Sequence, residues 1–203
     1  MSRTDTYSKK AKSPFKYFIT FSGKDGMWEY WDGEKKEDVR LDKLEFVVLD
    51  VRSSITGWSD SNKGRIYSNM VKSTVRSPLT AKSGSTVIAS GLYSEIKNQL
   101  VAAGGKFTAN VLAVARINGQ LVPVNIQFAA ACLRDWSAFV TENNIFEIYK
   151  HLVVSEKGEQ QKKGAVKYYT PEFKLEALSD EDAALADEFD ISVLKPYLDG
   201  TEA

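Results

Sequence analysis

Arg65 and Tyr67 stand two residues apart, Trp58 precedes them between Gly57 and the polar run SDSNKG, and Lys63, Lys72, Arg76 and Lys82 lie around them. Flat rings beside fixed positive charges suit a ligand that alternates planar bases with phosphates, because every base offers a face to stack on and every nucleotide a charge. Each such stack is worth about 1–3 kcal/mol. The period of two in an extended strand puts Arg65, Tyr67, Asn69 and Val71 on one face of GRIYSNMVKS (64–73), with Ile66, Ser68 and Met70 on the other. Lys106, Phe107 and Arg116 fall in a later strand expected across the same wall. The candidate contact set is Trp58, Lys63, Arg65, Tyr67, Lys72, Arg76, Lys82, Lys106, Phe107 and Arg116, with Tyr17, Trp28, Tyr30 and Trp31 as a weaker second cluster. The competing role for every ring is core packing, since a chain with 10 Phe, 9 Tyr and 4 Trp must bury many of them.

Other chemistries lack their residues. A phosphate-cradling Walker loop needs a glycine five positions before Gly105-Lys106, where Leu100 stands, and a Ser or Thr where Phe107 stands. The nucleophile elbow, the paired histidines of metalloproteases and the EF-hand spacing are missing too. A single cysteine, Cys132, forbids an internal disulfide, and with a single histidine, His151, it leaves no zinc ligand set. His151 and Cys132 therefore read as structural. Asp25, Glu29, Asp32, Glu34, Glu37 and Asp38 cluster, but lysines alternate with them, the pattern of a solvated surface. The expectation is a protein without catalytic activity, metal or cofactor; a carboxylate-metal nuclease is the remaining enzymatic alternative.

Composition sets the frame for these residues. A chain of 203 residues with 43% hydrophobic and 27% charged residues has room for one core. No run approaches the roughly 18 apolar residues that span a bilayer, and the opening MSRTDTYSKKAKSP has no apolar signal region. We therefore expect no membrane partner and a cytoplasmic location. The formal net charge of zero conceals segregation. Residues 179–203 carry a net −7, the first 24 residues +5, and residues 53–134 +7. A cationic body with an anionic end suits a polyanion binder whose own tail competes for the basic groove.

The chain divides into a basic flexible arm (1–14), a body (15–178) and the acidic tail (179–203). FKYFITF (15–21) and MWEYW (27–31) read as an aromatic hairpin, and GEKKEDVRLDK (33–43) as a charged loop. LEFVVLDVRSSITGW (44–58) reads as a long strand bending near Arg52–Ser54, followed by strands over 64–73 and around Ser83-Gly84. A helix is expected over 91–106, capped by Ser90 and stopped by Gly104-Gly105. Two strands then turn at Asn118-Gly119, which suits a two-residue hairpin loop. A helix follows over 129–144, then strands 145–154 and 165–178 across the loop EKGEQQKKG. The tail offers a short helix over 180–189, with a composition that equally permits disorder.

Long bent strand, strand, short strand, helix, strand, strand is the order of a five-stranded Greek-key OB barrel, here with its core at 44–128. A helix-covered α+β sheet is the rival architecture. The blocks LEFVVLDVRSSITGWSD, RIYSNMV and ASGLYSEIKNQLVAAGGKF resemble a family of bacteriophage OB-fold single-stranded DNA-binding proteins, over roughly residues 40–142. The resemblance implies a mainly β protein of phage DNA replication or recombination in the host cytoplasm, holding single-stranded DNA in its barrel groove. Replicative single-strand binders recruit partner proteins through acidic tails, and Asp187, Glu188, Phe189 and Asp190 are the corresponding stretch. The bacterial pattern ends in an aromatic residue after a run of aspartates, whereas this chain ends Gly200-Thr201-Glu202-Ala203 and holds Phe189 and Tyr197 inside. A protein-interaction module such as a phage adaptor or host-factor inhibitor is the alternative on the same fold, and a homo-oligomer is left open.

Overall fold

The computed structural model describes residues 13–202, so most of the basic arm expected over 1–14 lies outside the described residues. The protein is mainly β. The N-terminal hairpin is β1 (Tyr17–Ser22) and β2 (Met27–Asp32), followed by β3 (Glu37–Leu41). Next come β4 (Lys43–Ser59), β5 (Gly64–Ser68), β6 (Leu79–Ser83), β7 (Thr86–Gly91) and helix α1 (Tyr93–Ala102). Then follow β8 (Gly105–Ile117), β9 (Gln120–Ala129), α2 (Ala130–Asn143), the short α3 (Ile145–Ile148), β10 (Leu152–Lys163) and β11 (Val166–Glu176). The acidic end is helical: α4 (Asp180–Phe189), a π-helical stretch (Asp190–Leu194) and α5 (Lys195–Glu202). Among the described residues, no helix is long and apolar enough to cross a membrane.

One mixed sheet runs β3-β2-β1-β9-β8-β4-β5-β6-β7, with β10 pairing β4 and β11. β4 explains its own length. One edge pairs β8 from Phe46 to Gly57, while the other takes β10 at residues 43–46 and β5 at 56–59, with a bridge from Ser53 to Val71 between them. The ladders β4·β5·β6 and β4·β8·β9 follow the expected order, but they do not close into a barrel. The edge of β9 instead receives β1 in parallel, Tyr17–Ile19 lying along Val124–Ile126.

Alternation along β8 assigns the two faces. Ala109, Val111, Ala113, Ala115 and Ile117 enter a central core with Phe46, Ile126, Phe128 and Trp136 of α2. Leu112 and Val114 point the other way, beneath the acidic helices, where Leu194, Leu198, Phe15 and Ala186 bury them. A strand covered on both sides reads as a continuous apolar run. α1 seats Ile96 and Leu100 on a smaller cluster with Ile55, Ile66, Leu79 and Ala81.

Several expected boundaries move for physical reasons. The bend in β4 is a bulge between Val48 and Asp50, which sends both Leu49 and Asp50 to the face under the acidic helices. GEKKEDVRLDK contains strand β3, whose apolar residues are Val39 and Leu41 alone, turned to the core between charges, and EKGEQQKKG, without any large apolar residue, belongs to β10. β5 ends at Ser68 because the Asn69 side chain donates to the Pro78 carbonyl and accepts from Thr80 N–H, turning the chain so that Val71 is buried with Ile66. Residues 145–148 form α3 rather than a strand, since the Asn144 side-chain oxygen Oδ1 caps them by accepting from Phe146 N–H at 3.1 Å. Leu92, not Ser90, is the N-cap of α1, with the Glu95 carboxylate accepting from Leu92 N–H; Ser90 bonds Thr80 across β6 and β7 instead. The hairpin at Asn118-Gly119 forms as expected, with φ of 52° and 80°.

At the end of β4 the backbones of Gly57 and Trp58 press against Gly104-Gly105 at the start of β8. A Cβ on Gly57 would overlap the Gly104 carbonyl oxygen, and Gly104 itself has φ +90°. Gly57→Ala should therefore lower the unfolding free energy by about 2 kcal/mol or more. An unchanged urea midpoint would show that this close approach is absent.

Candidate nucleic-acid interface

Cross-strand register fixes which side chains share a face. Thr56 of β4 pairs with Tyr67 on one side and Lys106 on the other, Tyr67 pairs with Lys82, and Lys82 pairs with Val87. The row Lys82, Tyr67, Thr56, Lys106 thus crosses four strands on the outer face, over roughly 14 Å at the usual strand spacing. In the next row Trp58 pairs with Arg65. Beneath this wall, on the opposite face, Ile55, Ile66, Leu79 and Ala81 carry the packing against α1. The outer side chains are therefore not required by the core.

Trp58 is 53% exposed and Tyr67 49%. The Tyr67 hydroxyl donates to the Gly84 carbonyl at 2.9 Å, tying the far end of the ring to the β6–β7 turn while leaving its face open. Thr56 and Thr108 join through their hydroxyls at 2.6 Å, filling the floor between the two lysines. Arg65, Lys82 and Lys106 are exposed, and none forms an ion pair among the described residues. Three unneutralised cations on one wall, beside two open rings, gather positive charge that the zero net charge hides.

The other candidates are placed as follows. Lys63 occupies the β4–β5 turn at the rim of the wall, exposed and with φ of 46°. Lys72 and Arg76 are exposed on the segment after β5, with Lys72 Nζ 4.0 Å from Asp50. Phe107 points to the opposite face, its ring 4.9 Å from Tyr93 of α1 and part of the smaller core cluster. Arg116 sits far along β8, held by Asp182 of α4 at 2.6 Å and Glu45 at 3.5 Å. Of the tail residues, Asp187 and Glu188 are exposed, Phe189 packs inward beside Leu49, and Asp190 bonds Lys195 at 2.8 Å.

In the first hairpin Tyr17, Trp28 and Tyr30 are buried, whereas Trp31 is 56% exposed. Phe18 was not singled out from the sequence, yet it is 51% exposed and pairs with Asn125 on the outer face. Alternation around the buried Tyr17 and Ile19 is the signal that would have marked it.

The outer face also holds buried polar groups next to the wall. Arg52 bonds Asp50 at 2.6 Å, and Asn110 donates to Ser54 at 2.7 Å while its carbonyl accepts from Asn125 and Gln127. Among the described residues no group of three or more His, Cys, Asp or Glu side chains could hold a metal ion. Asp32 instead accepts from Glu34 and Lys35 N–H in the β2–β3 turn. His151 lies between α3 and β10, with Nδ1 2.8 Å from the Glu147 carbonyl. Burial pushes the Cys132 thiol up to about 11, so it stays protonated at neutral pH and is a poor nucleophile. No protein-family model, curated protein or solved structure matches the chain.

Collisional quenching checks the geometry of the wall. Trp28 and Trp136 are 0% and 3% exposed, so acrylamide should quench only the fluorescence of Trp31 and Trp58. Trp58→Phe should remove a large part of the quenchable emission; loss of only unquenchable emission would mean that Trp58 is buried.

Proposed function

We propose that the protein binds single-stranded DNA without sequence preference, on the outer wall formed by β4, β5, β6 and β8. The observation that carries this reading is the row Lys82, Tyr67, Thr56, Lys106 beside Trp58 and Arg65 on one surface, in which both rings are about half exposed and none of the three cations Arg65, Lys82 and Lys106 forms an ion pair among the described residues. Bases stack on Trp58 and Tyr67 while Arg65, Lys82, Lys106 and Lys63 follow the phosphates. Stacking and phosphate contact are indifferent to base identity, so the protein would hold strands unpaired for replication or recombination, as its resemblance to phage OB-fold single-strand binders suggests. The β5–β6 and β8–β9 ladders on either side of β4 are compatible with an OB-like reading of this region although the sheet stays open, and the binding wall does not depend on closure.

The acidic helices act in this reading as an internal competitor and a partner hook. They lie on the same face of the sheet as the wall, and Asp182 already holds Arg116 there. Exposed Leu185, Ile191 and Val193 beside Asp187 and Glu188 give a mixed apolar and acidic surface for a replication or recombination protein. This refines the stretch expected from the sequence, since Phe189 and Asp190 serve internal contacts.

Titration with a fluorescent oligonucleotide tests the reading. Neutralising about four phosphates gives a slope near −3 for log affinity against log salt on the single-strand coefficient. Trp58→Ala and Tyr67→Ala should each weaken binding about tenfold. Affinity untouched by both substitutions would favour the protein-interaction module instead. Replacing Asp187, Glu188 and Asp199 by their amides leaves the buried Leu194 and Leu198 in place and should tighten DNA binding at low salt. Unchanged affinity would remove the competitor role.

A further inference from the structure

Phe18 and Trp31 lie on the same sheet face as Trp58 and Tyr67 but in opposite electrostatic surroundings. Trp31 pairs with Asp38 of β3, and the next row sets Glu29 against Arg40. Charge here is mixed and matched, Arg40 lying 3.7 Å from Asp25 within the chain, so this end lacks the unpaired cations that would follow phosphates and suits a protein partner.

Strand β3 ends the sheet and, among the described residues, pairs only with β2. A free edge offers a row of unpaired backbone donors and acceptors, which proteins blunt with proline, lysine or covering elements. The other outer strands are blunted in this way. β11 carries Pro171, Lys167 and Lys174, and the edge of β7 runs into α1, where Gly91 abuts Ile96. The edge of β3, Glu37-Asp38-Val39-Arg40-Leu41, carries neither proline nor lysine, and among the described residues no element covers it; what guards it is its shortness and the charges of Glu37, Asp38 and Arg40, which oppose any partner that does not match them.

Its charges are instead complementary to themselves. When two copies of β3 pair antiparallel about a two-fold axis at Val39, Asp38 of each faces Arg40 of the other. Centring on Asp38 or on Arg40 sets like charges against each other, and a slip of one residue places Asp38 and Arg40 on opposite faces. Of the registers that keep Asp38, Val39 and Arg40 central, the one about Val39 satisfies charge and face together. In that register Val39 meets its own counterpart on the inner face, where Val39 and Leu41 already pack against the central core. The outer face gains the row Trp31, Asp38, then Arg40 of the second copy.

We infer that β3 is a homodimerisation edge, through which two copies join their sheets by isologous strand addition. The inference is independent of the DNA-binding reading, because β3 stands at the opposite end of the sheet from Trp58 and Tyr67.

Sedimentation velocity on the full chain across a wide concentration range tests it. Wild type should dimerise reversibly, and D38R and R40D should each weaken the dimer by at least about tenfold; D38R should leave the circular dichroism melt unchanged, whereas R40D also loses the Arg40–Asp25 pair within the chain and should lower it slightly. An equimolar mixture of D38R and R40D should dimerise again, since a doubly basic edge then faces a doubly acidic one, and the swap D38R/R40D should behave as wild type. A wild type that stays monomeric, single variants that dimerise as wild type does, or a mixture that stays monomeric would each overturn the inference. Both single variants should bind a short oligonucleotide as wild type does. A monomer that binds DNA thus refutes the dimer alone, and a dimer that does not bind DNA refutes the proposed function alone.

Discussion

The architecture depends on the pairing of β4 along both of its edges. Seventeen residues in one strand connect the N-terminal part of the sheet through β8, the β10–β11 ribbon through its first residues, and the β5–β7 meander through its last. A strand shared by three neighbours cannot stay flat, and the bulge at Leu49 absorbs the twist. The same bulge decides which side chains reach the proposed binding wall. By shifting the alternation it presents Arg52, Ser54, Thr56 and Trp58 to the outer face and keeps Ile55 beneath. The close approach of Gly57 to Gly104 then fixes the end of the strand, so Trp58 emerges beside Arg65 on a rigid element.

Charge is distributed by the same logic. A formal net charge of zero suggests neutrality, yet the acidic helices neutralise selected cations and leave others alone. Arg116 is matched by Asp182 and Lys195 by Asp190, whereas Arg65, Lys82 and Lys106 have no such partner among the described residues. Hydrophobic burial of Leu194 and Leu198 against Leu112 and Phe15 holds the acidic segment to the body. Clefts of about 460 and 340 Å³ flank α4, one lined by Arg116, Leu185 and Phe189, the other by Leu49, Tyr149 and Asp187. The segment is thus anchored by a few apolar side chains on a seat that it does not fill.

Legibility in the sequence followed burial. The hairpin at Asn118-Gly119 and the helix ending at Gly104-Gly105 were readable because turn chemistry and apolar spacing agree there. The strands in GEKKEDVRLDK and EKGEQQKKG were not, since two apolar residues among charges, Val39 and Leu41, make too short a period in the first, and the second has none to display. Asn144 capped a helix that its β-branched and aromatic neighbours disguised as a strand. Within the candidate wall, the alternation of Arg65 and Tyr67 could be read from one strand, but Thr56 and Lys106 join them only through register, which no single strand encodes. Phe107 was grouped with Lys106 against the alternation that the strand itself displays, since adjacent residues face opposite ways. Open closure at β9 depends on β1 arriving from residues far away in sequence, beyond the reach of local pattern.

The most direct test of the central claim is photochemical crosslinking of the full chain to an oligonucleotide carrying 5-iodouracil, with the modified residues mapped by mass spectrometry. The account predicts adducts at Trp58 and Tyr67. Adducts confined to Phe107 and Tyr93, to Phe18 and Trp31, or none at all under conditions where DNA is bound, would contradict it.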